Sequence, residues 1–151
     1  MRKLRMGMIG GGKDAFIGAI HRYALNMDGL IELSCGALSI NPEIAKDSGK
    51  SLFLPEDRIY LTYDEMISKE SKLPADKKID FVTIVTPNFA HFAPAMMALE
   101  NGFNVVIEKP ITFTLDEAKQ LKKKAPTITT IVIFLRLADL LFRIVSLFYR
   151  A

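Results

Sequence analysis

Apolar positions change period abruptly within the first 27 residues. Leu4, Met6, Met8 and Ile9 form a short apolar run that stops at Gly10, Gly11 and Gly12. Beyond the glycines, Phe16, Ile20, Tyr23, Ala24 and Met27 recur at i, i+4, i+7, i+8 and i+11, one face of a 3.6-residue period. The pattern predicts a strand, a glycine turn and a helix. His21 falls on the polar side of that helix and is expected to be structural or at the surface.

The alternation continues along the chain. After an Asp28-Gly29 turn, residues 30–38 (LIELSCGAL) read as a buried strand. A short helix over 42–50 has Pro42 in its first turn. A loop covers 52–57, and 59–61 make a short strand. Thr62 and Glu65 form a capping box for a helix over 62–69. Residues 80–86 (DFVTIVT) are apolar and β-branched enough for a central parallel strand, ended by Thr86-Pro87-Asn88. A helix over 91–101 tolerates Pro94 in its first turn and stops at Gly102, with Met96 and Met97 as core filler. Residues 104–107 are the next strand. Thr114 and Glu117 cap a helix that runs to Lys122, Lys123 and Lys124 and is stopped by Pro126, and 127–135 can supply a sixth strand. Such regular alternation predicts an α/β fold: a doubly wound parallel sheet in three αβα layers.

Composition narrows the function classes. The chain has 151 residues, half apolar and a quarter charged, with a formal charge of only +3. Its one basic run sits at a helix end, where the dipole accounts for it, so no nucleic-acid partner is expected. One cysteine, Cys35, lies in a predicted buried strand and fits a reducing compartment. Two histidines and one cysteine, dispersed, suggest no metal site. Glycines follow the basic N-terminus too soon for a signal-peptide core, and a cytoplasmic location is expected. The stretch 127–151 is dense in Ile, Leu, Val and Phe. Arg136, Asp139 and Arg143 make it a poor membrane span, each costing about 2.5–3.5 kcal/mol at a bilayer centre. Its exposed apolar surface predicts self-association instead, as a homo-oligomer or by aggregation.

The candidate chemistry collects at the carboxyl ends of the predicted strands, where ligands of open α/β sheets bind. Gly10, Gly12 and Ala15 fill a G-x-G-x-x-G/A dinucleotide fingerprint, which marks a Rossmann-like fold. Gly10 serves the tight turn, Gly12 the close approach of a pyrophosphate, and Ala15 the packing of helix on strand. The helix start at Phe16 and Ile17 offers unpaired N–H groups to phosphate. The fingerprint expects an acidic residue about 20 residues on, against the ribose 2′-hydroxyl. None stands between Ala37 and Pro42, and no arginine either. Ser39 and Asn41 can bond a ribose hydroxyl or a 2′-phosphate, or Asn41 can simply open the next helix, so NAD and NADP both remain open.

Four segments, GGGKDAFIGAIHR (10–22), VTPNFAH (85–91), ALENGFNVVIEKP (98–110) and TLDEAKQL (114–121), make the chain resemble the Gfo/Idh/MocA oxidoreductases over roughly residues 3–125. The resemblance implies an NAD(P)-binding domain of enzymes acting on sugars, polyols or related metabolites. It implies that Lys109 is catalytic, hydrogen-bonding the reacting hydroxyl, and that Pro110 holds it in a bent peptide, the cis form among the options. Thr86, Pro87 and Asn88 would line the nicotinamide-ribose side. His91 would lie with them or only satisfy a loop carbonyl, and Glu108 would fix the loop or a cofactor hydroxyl. It also implies a second, substrate-binding domain that these 151 residues do not contain. The expected division is a Rossmann domain over 1–135 and an apolar tail over 136–151 that matches nothing in the family and reads as out of frame or truncated. Cofactor binding with little or no turnover is therefore expected. The alternatives are a non-catalytic nucleotide-binding module that dimerises through its tail, and a non-functional fragment.

Overall fold

A computed structural model describes residues 2–125 and 130–133. Strand β1 (Leu4–Gly10) leads into α1 (Phe16–Asn26), β2 (Ile31–Ala37), α2 (Pro42–Ser51) and α3 (Tyr63–Ser71). Then come β3 (Phe81–Val85), α4 (Phe92–Glu100), β4 (Asn104–Glu108), α5 (Leu115–Lys124) and β5 (Thr130–Ile133). All strand pairs are parallel, in the order β2-β1-β3-β4-β5. The chain moves outward from β1 to β2, then returns to place β3 on the other side of β1. That reversal opens a crevice beyond the carboxyl ends of β1 and β3.

Every residue of β3 is buried, which explains its unbroken apolar run. Phe81 and Val85 join Met6, Met8, Leu38 and Val106 against Ile17 and Leu25 of α1. Val82 and Ile84 join Cys35, Val105 and Ile107 on the opposite face, under Met66 and Ile67 of α3, Ala95 and Ala98 of α4 and Leu121 of α5. Helices on both faces give the three expected layers. The strand of 127–135 is described over Thr130–Ile133; the expected tail at 136–151, and the stop at Pro126, lie outside the described residues.

Several local expectations are corrected. Helix α1 does not bury the face that counting apolar residues selects: Phe16, Tyr23 and Met27 are exposed, while Gly18 and His21 are buried. Direct backbone contact at Gly18 sets the helix rotation and turns Ile17, His21 and Leu25 toward the sheet. Residues 59–61 form no strand. Ile59 makes a single bridge to Gly36, because a 3-10 turn at Glu56–Arg58 and the cap of α3 at Thr62 leave no room for more. Five strands are therefore described, not six. The Thr62 box is half formed: Thr62 Oγ1 accepts from Glu65 N, but the Glu65 carboxylate accepts from Leu61 N. The box at Thr114 and Glu117 is complete. Residues 88–90 form a 3-10 turn, so α4 begins at Phe92 rather than His91.

One buried cluster has no signal in the sequence. Glu70, on α3, is fully buried and accepts hydrogen bonds from Arg58 Nε (3.0 Å) and Tyr60 Oη (2.7 Å). It ties α3 to the segment beside β2. Burial pushes the nearby Cys35 thiol well up, as expected for a residue in the core.

Candidate functional site

The turn after β1 is built from backbone. Gly10 and Gly11 have φ of 76° and 72°, which L side chains adopt only at a cost. Arg22, reaching back from α1, donates through Nη1 to the Gly11 carbonyl. Burial lowers its guanidinium pKa. Gly12 N donates to Leu38 O (3.1 Å), and Lys13 N donates to Ser48 Oγ (3.1 Å). A Cβ at position 12 would stand 2.7 Å from Ser48 Oγ and 3.0 Å from Leu38 O. Gly12 thus makes room for α2 and the end of β2, a role the fingerprint did not suggest. The close helix packing expected of Ala15 belongs to Gly18, whose Cβ would fall 2.3 Å from Gly11 O. Ala15 is the residue before α1, donating to Gly12 O and accepting from Gly18 N.

Helix α1 starts with no side-chain cap and no acidic residue in its first turn. Helices α2, α3 and α5 are capped by Asn41, Thr62 and Thr114 and carry acids in their first turns, whereas α4, like α1, has neither. The first amides of α1, at Phe16 and Ile17, have no intrahelical carbonyl to bond and carry the positive end of the helix dipole. At the sheet reversal, reached by Gly10 of the turn that leads to α1, lies a cavity of about 300 Å³. Ile9, Gly10, Ser39, Ile40, Thr86 and Pro94 are among its walls. Ser39 Oγ accepts from Asn41 N (3.1 Å), and Asn41 Oδ1 is spent on the α2 amides of Glu43 and Ile44 (2.9 and 3.2 Å). Asp64, at the start of α3, also lines the cavity. Counting 20 residues along β2 missed this carboxylate, because it comes from a different element.

The two remaining clusters meet at the ends of β3 and β4. Thr86 Oγ1 donates to Ala90 O (3.1 Å), fixing the turn that carries Pro87 and Asn88. His91 is 1% exposed. Its Nδ1 lies 2.9 Å from Pro110 O and its Nε2 2.8 Å from Thr86 O. Both ring nitrogens lie against backbone carbonyls; a neutral ring donates to one of them and only the imidazolium to both, and in either form the ring sits between the two loops. Glu108 is buried, with Oε2 2.8 Å from His21 Nε2. Of the two expectations for His21, structural or at the surface, its complete burial leaves the structural one, and its place on the polar side of the helix is corrected. Between these residues Lys109 is exposed, and its peptide bond to Pro110 is cis.

A dinucleotide suits what is present. An uncapped helix start could take phosphates, an apolar cavity could take a flat aromatic ring, and a lysine stands two strands away along the same edge. Among the described residues, no group of three His, Cys, Asp or Glu side chains could hold a metal ion, and no helix is long and apolar enough to cross a membrane.

The model of an oxidoreductase family with an NAD-binding Rossmann fold, GFO_IDH_MocA, matches residues 4–134. The chain belongs to this family. It is 37% identical over 125 residues to the uncharacterized oxidoreductase YfiI of Bacillus subtilis, covering 82% of this chain and 31% of that protein. It is 44% identical to an oxidoreductase from Sinorhizobium meliloti, with a TM-score of 0.79 over 88% of this chain and 36% of that one. An inositol dehydrogenase homolog from Azotobacter vinelandii, solved with NADH and myo-inositol, is 39% identical, with a TM-score of 0.78 over 82% of this chain and 32% of that one. The chain thus spans about a third of the length of these relatives.

Proposed function

We propose that this Gfo/Idh/MocA chain is the cofactor-binding part of an NAD(P)-dependent oxidoreductase that acts on a CH–OH group of a sugar, polyol or related metabolite. The observation that carries the reading is the uncapped start of α1 after a positive-φ glycine turn at the end of β1, the strand end that also walls the cavity at the sheet reversal. The amides of Phe16 and Ile17 hold the pyrophosphate, and the turn of Gly10, Gly12 and Ala15 presents them. Ser39, with Asn41 behind it, faces the adenosine ribose. Thr86, Pro87 and Asn88 line the nicotinamide side, while Glu108 and His91 hold the loops. When bound, the nicotinamide supplies hydride exchange with the carbinol carbon. Lys109 donates a hydrogen bond to the reacting oxygen and helps manage its proton. The relative solved with NADH and myo-inositol supports the polyol class. The domain reading, 1–135 for cofactor and 136–151 as a tail, belongs to this proposal, as does a requirement for a substrate-binding domain beyond these residues.

The test is a titration of the folded chain with NADH and NADPH, followed by nicotinamide fluorescence, on wild type and Phe16→Glu. Phe16 is exposed, so a glutamate there favours the helix dipole yet repels a pyrophosphate. Saturable binding that weakens at least tenfold in Phe16→Glu, with an unchanged or raised Tm, is the expected result. A folded wild type that binds neither nucleotide overturns the proposal.

A further inference from the structure

The chain has two histidines, and each grips a neighbour of Lys109. His21 Nε2 holds the side chain of Glu108, the residue before the lysine, at 2.8 Å. His91 Nδ1 holds the carbonyl of Pro110, the residue after it, at 2.9 Å. Both imidazoles are buried, and they come from different helical elements: His21 from the middle of α1, His91 from the residue that precedes α4. We propose that His21 and His91 form a clamp that fixes the backbone at Lys109, and so act as positioning residues for its amine. The inference deepens the oxidoreductase reading, which gives Lys109 its task.

Three features support a positioning role over a purely stabilising one. A buried polar pair is a weak source of stability, and apolar side chains of similar volume would fill the same space at less cost. His21 adds to that cost. With Nε2–H donating to the Glu108 carboxylate, Nδ1 is buried with no partner among the described residues. His91 Nε2 lies 2.8 Å from Thr86 O, so the ring that donates to Pro110 through Nδ1 also rests against the end of β3, and bonds it as well when both nitrogens carry protons. Lys109 itself is exposed. Its long side chain gains no fixed position from packing, and only its anchor points remain to aim it.

The clamp also joins two parts of the site. His21 lies on the helix whose first amides face the pyrophosphate, about one and a half turns further along. Glu108, held by that helix, is bonded directly to Lys109. The phosphate seat and the lysine are thereby fastened to one rigid element, and His91 adds the nicotinamide-side turn at Thr86.

Backbone 15N relaxation and imidazole 15N–1H spectra of the full chain test the clamp without any ligand. In wild type, the Lys109 amide is expected to be as rigid as the sheet, with an order parameter near about 0.85, and each histidine is expected to show a slowly exchanging ring N–H. In His21→Asn and in His91→Leu, the Lys109 order parameter is expected to fall below about 0.6 while that of Val82 is unchanged. His91→Asn, whose amide nitrogen stands where Nδ1 does and can still donate to Pro110 O, should recover part of the loss and serves if His91→Leu folds poorly. A mobile Lys109 amide in wild type, absent ring N–H signals, or variants that leave Lys109 rigid would each overturn the clamp. NADH titration of the same samples judges the cofactor reading separately, because the relaxation data need no bound nucleotide.

Discussion

Gly18 of α1 rests on the backbone of Gly11, so closely that a Cβ at 18 would meet the Gly11 carbonyl oxygen at 2.3 Å. Neither partner is the end of a flexible side chain, and the contact cannot relax without moving the helix. Gly18→Ala is expected to cost about 3 kcal/mol, the upper part of the range for overpacking, and to lower Tm by several degrees in a thermal melt. NADH affinity should fall with it, since the first amides of α1 move. Gly29→Ala is the control. Its φ of 66° is strained for alanine but nothing lies within 4 Å, so a loss of about 1–2 kcal/mol with unchanged affinity is expected.

Ser39 lines the cavity where the fingerprint expects a carboxylate. Ser39→Asp is expected to weaken NADPH binding at least tenfold, through repulsion of the 2′-phosphate, and to leave NADH binding equal or tighter. Paired fluorescence titrations read the ratio. Equal weakening of both nucleotides would mean that Ser39 does not face the ribose.

Glu70 is fully buried and Arg58 is its charge partner. Arg58→Met strands that carboxylate, and a loss of about 3–5 kcal/mol in urea unfolding is expected. Tyr60→Phe removes a single hydrogen bond from the same carboxylate and should cost about 1 kcal/mol.

Asp80 precedes β3 and accepts from Arg2 Nη1 and Nη2 (2.7 and 2.6 Å) and from Arg5 N (2.7 Å). The Arg2 guanidinium, helped by the Arg5 amide and opposed by burial, holds the Asp80 carboxyl below its usual 3.8. A depressed folded-state value stabilises the fold at pH above the ordinary value, and that contribution is lost as pH falls through the folded one. Asp80→Asn is therefore expected to be modestly less stable than wild type at pH 7. The two stability curves should converge at acid pH, as followed by denaturation from pH 7 downward.

Much of this architecture was legible in the residues. β3 could be read because burial on both faces leaves a continuous apolar run, and Thr114 with Glu117 could be read because a capping box is local. The errors arose where a long-range contact overrides a local pattern. The face of α1 depends on Gly11, seven residues before Gly18, which no count of apolar side chains contains. Residues 59–61 have strand-like chemistry but are hemmed in by their neighbours. The site divides the same way. The glycine turn and Lys109 are marked by type and position, whereas Ser48, Asp64 and the burial of His21 become visible only when α2, α3 and β4 are brought to the same edge. Gly12 carries a practical lesson: its substitution by a larger residue would strike Ser48 and Leu38, so weakened nucleotide binding in such a variant would not report on a phosphate.

Beside β2, the outermost strand on its side of the described sheet, runs the segment that failed to become a strand. Ile59 bridges Gly36, and Tyr60 N donates to the Gly36 carbonyl at 2.9 Å. An open strand edge invites pairing with another chain. Here two residues occupy the end of that edge nearest the crevice at the sheet reversal, and the Glu70 cluster fastens them down through Tyr60 and Arg58. The piece is too short to extend the sheet, and for that reason it works as a stopper: it ends the ladder without offering a new one.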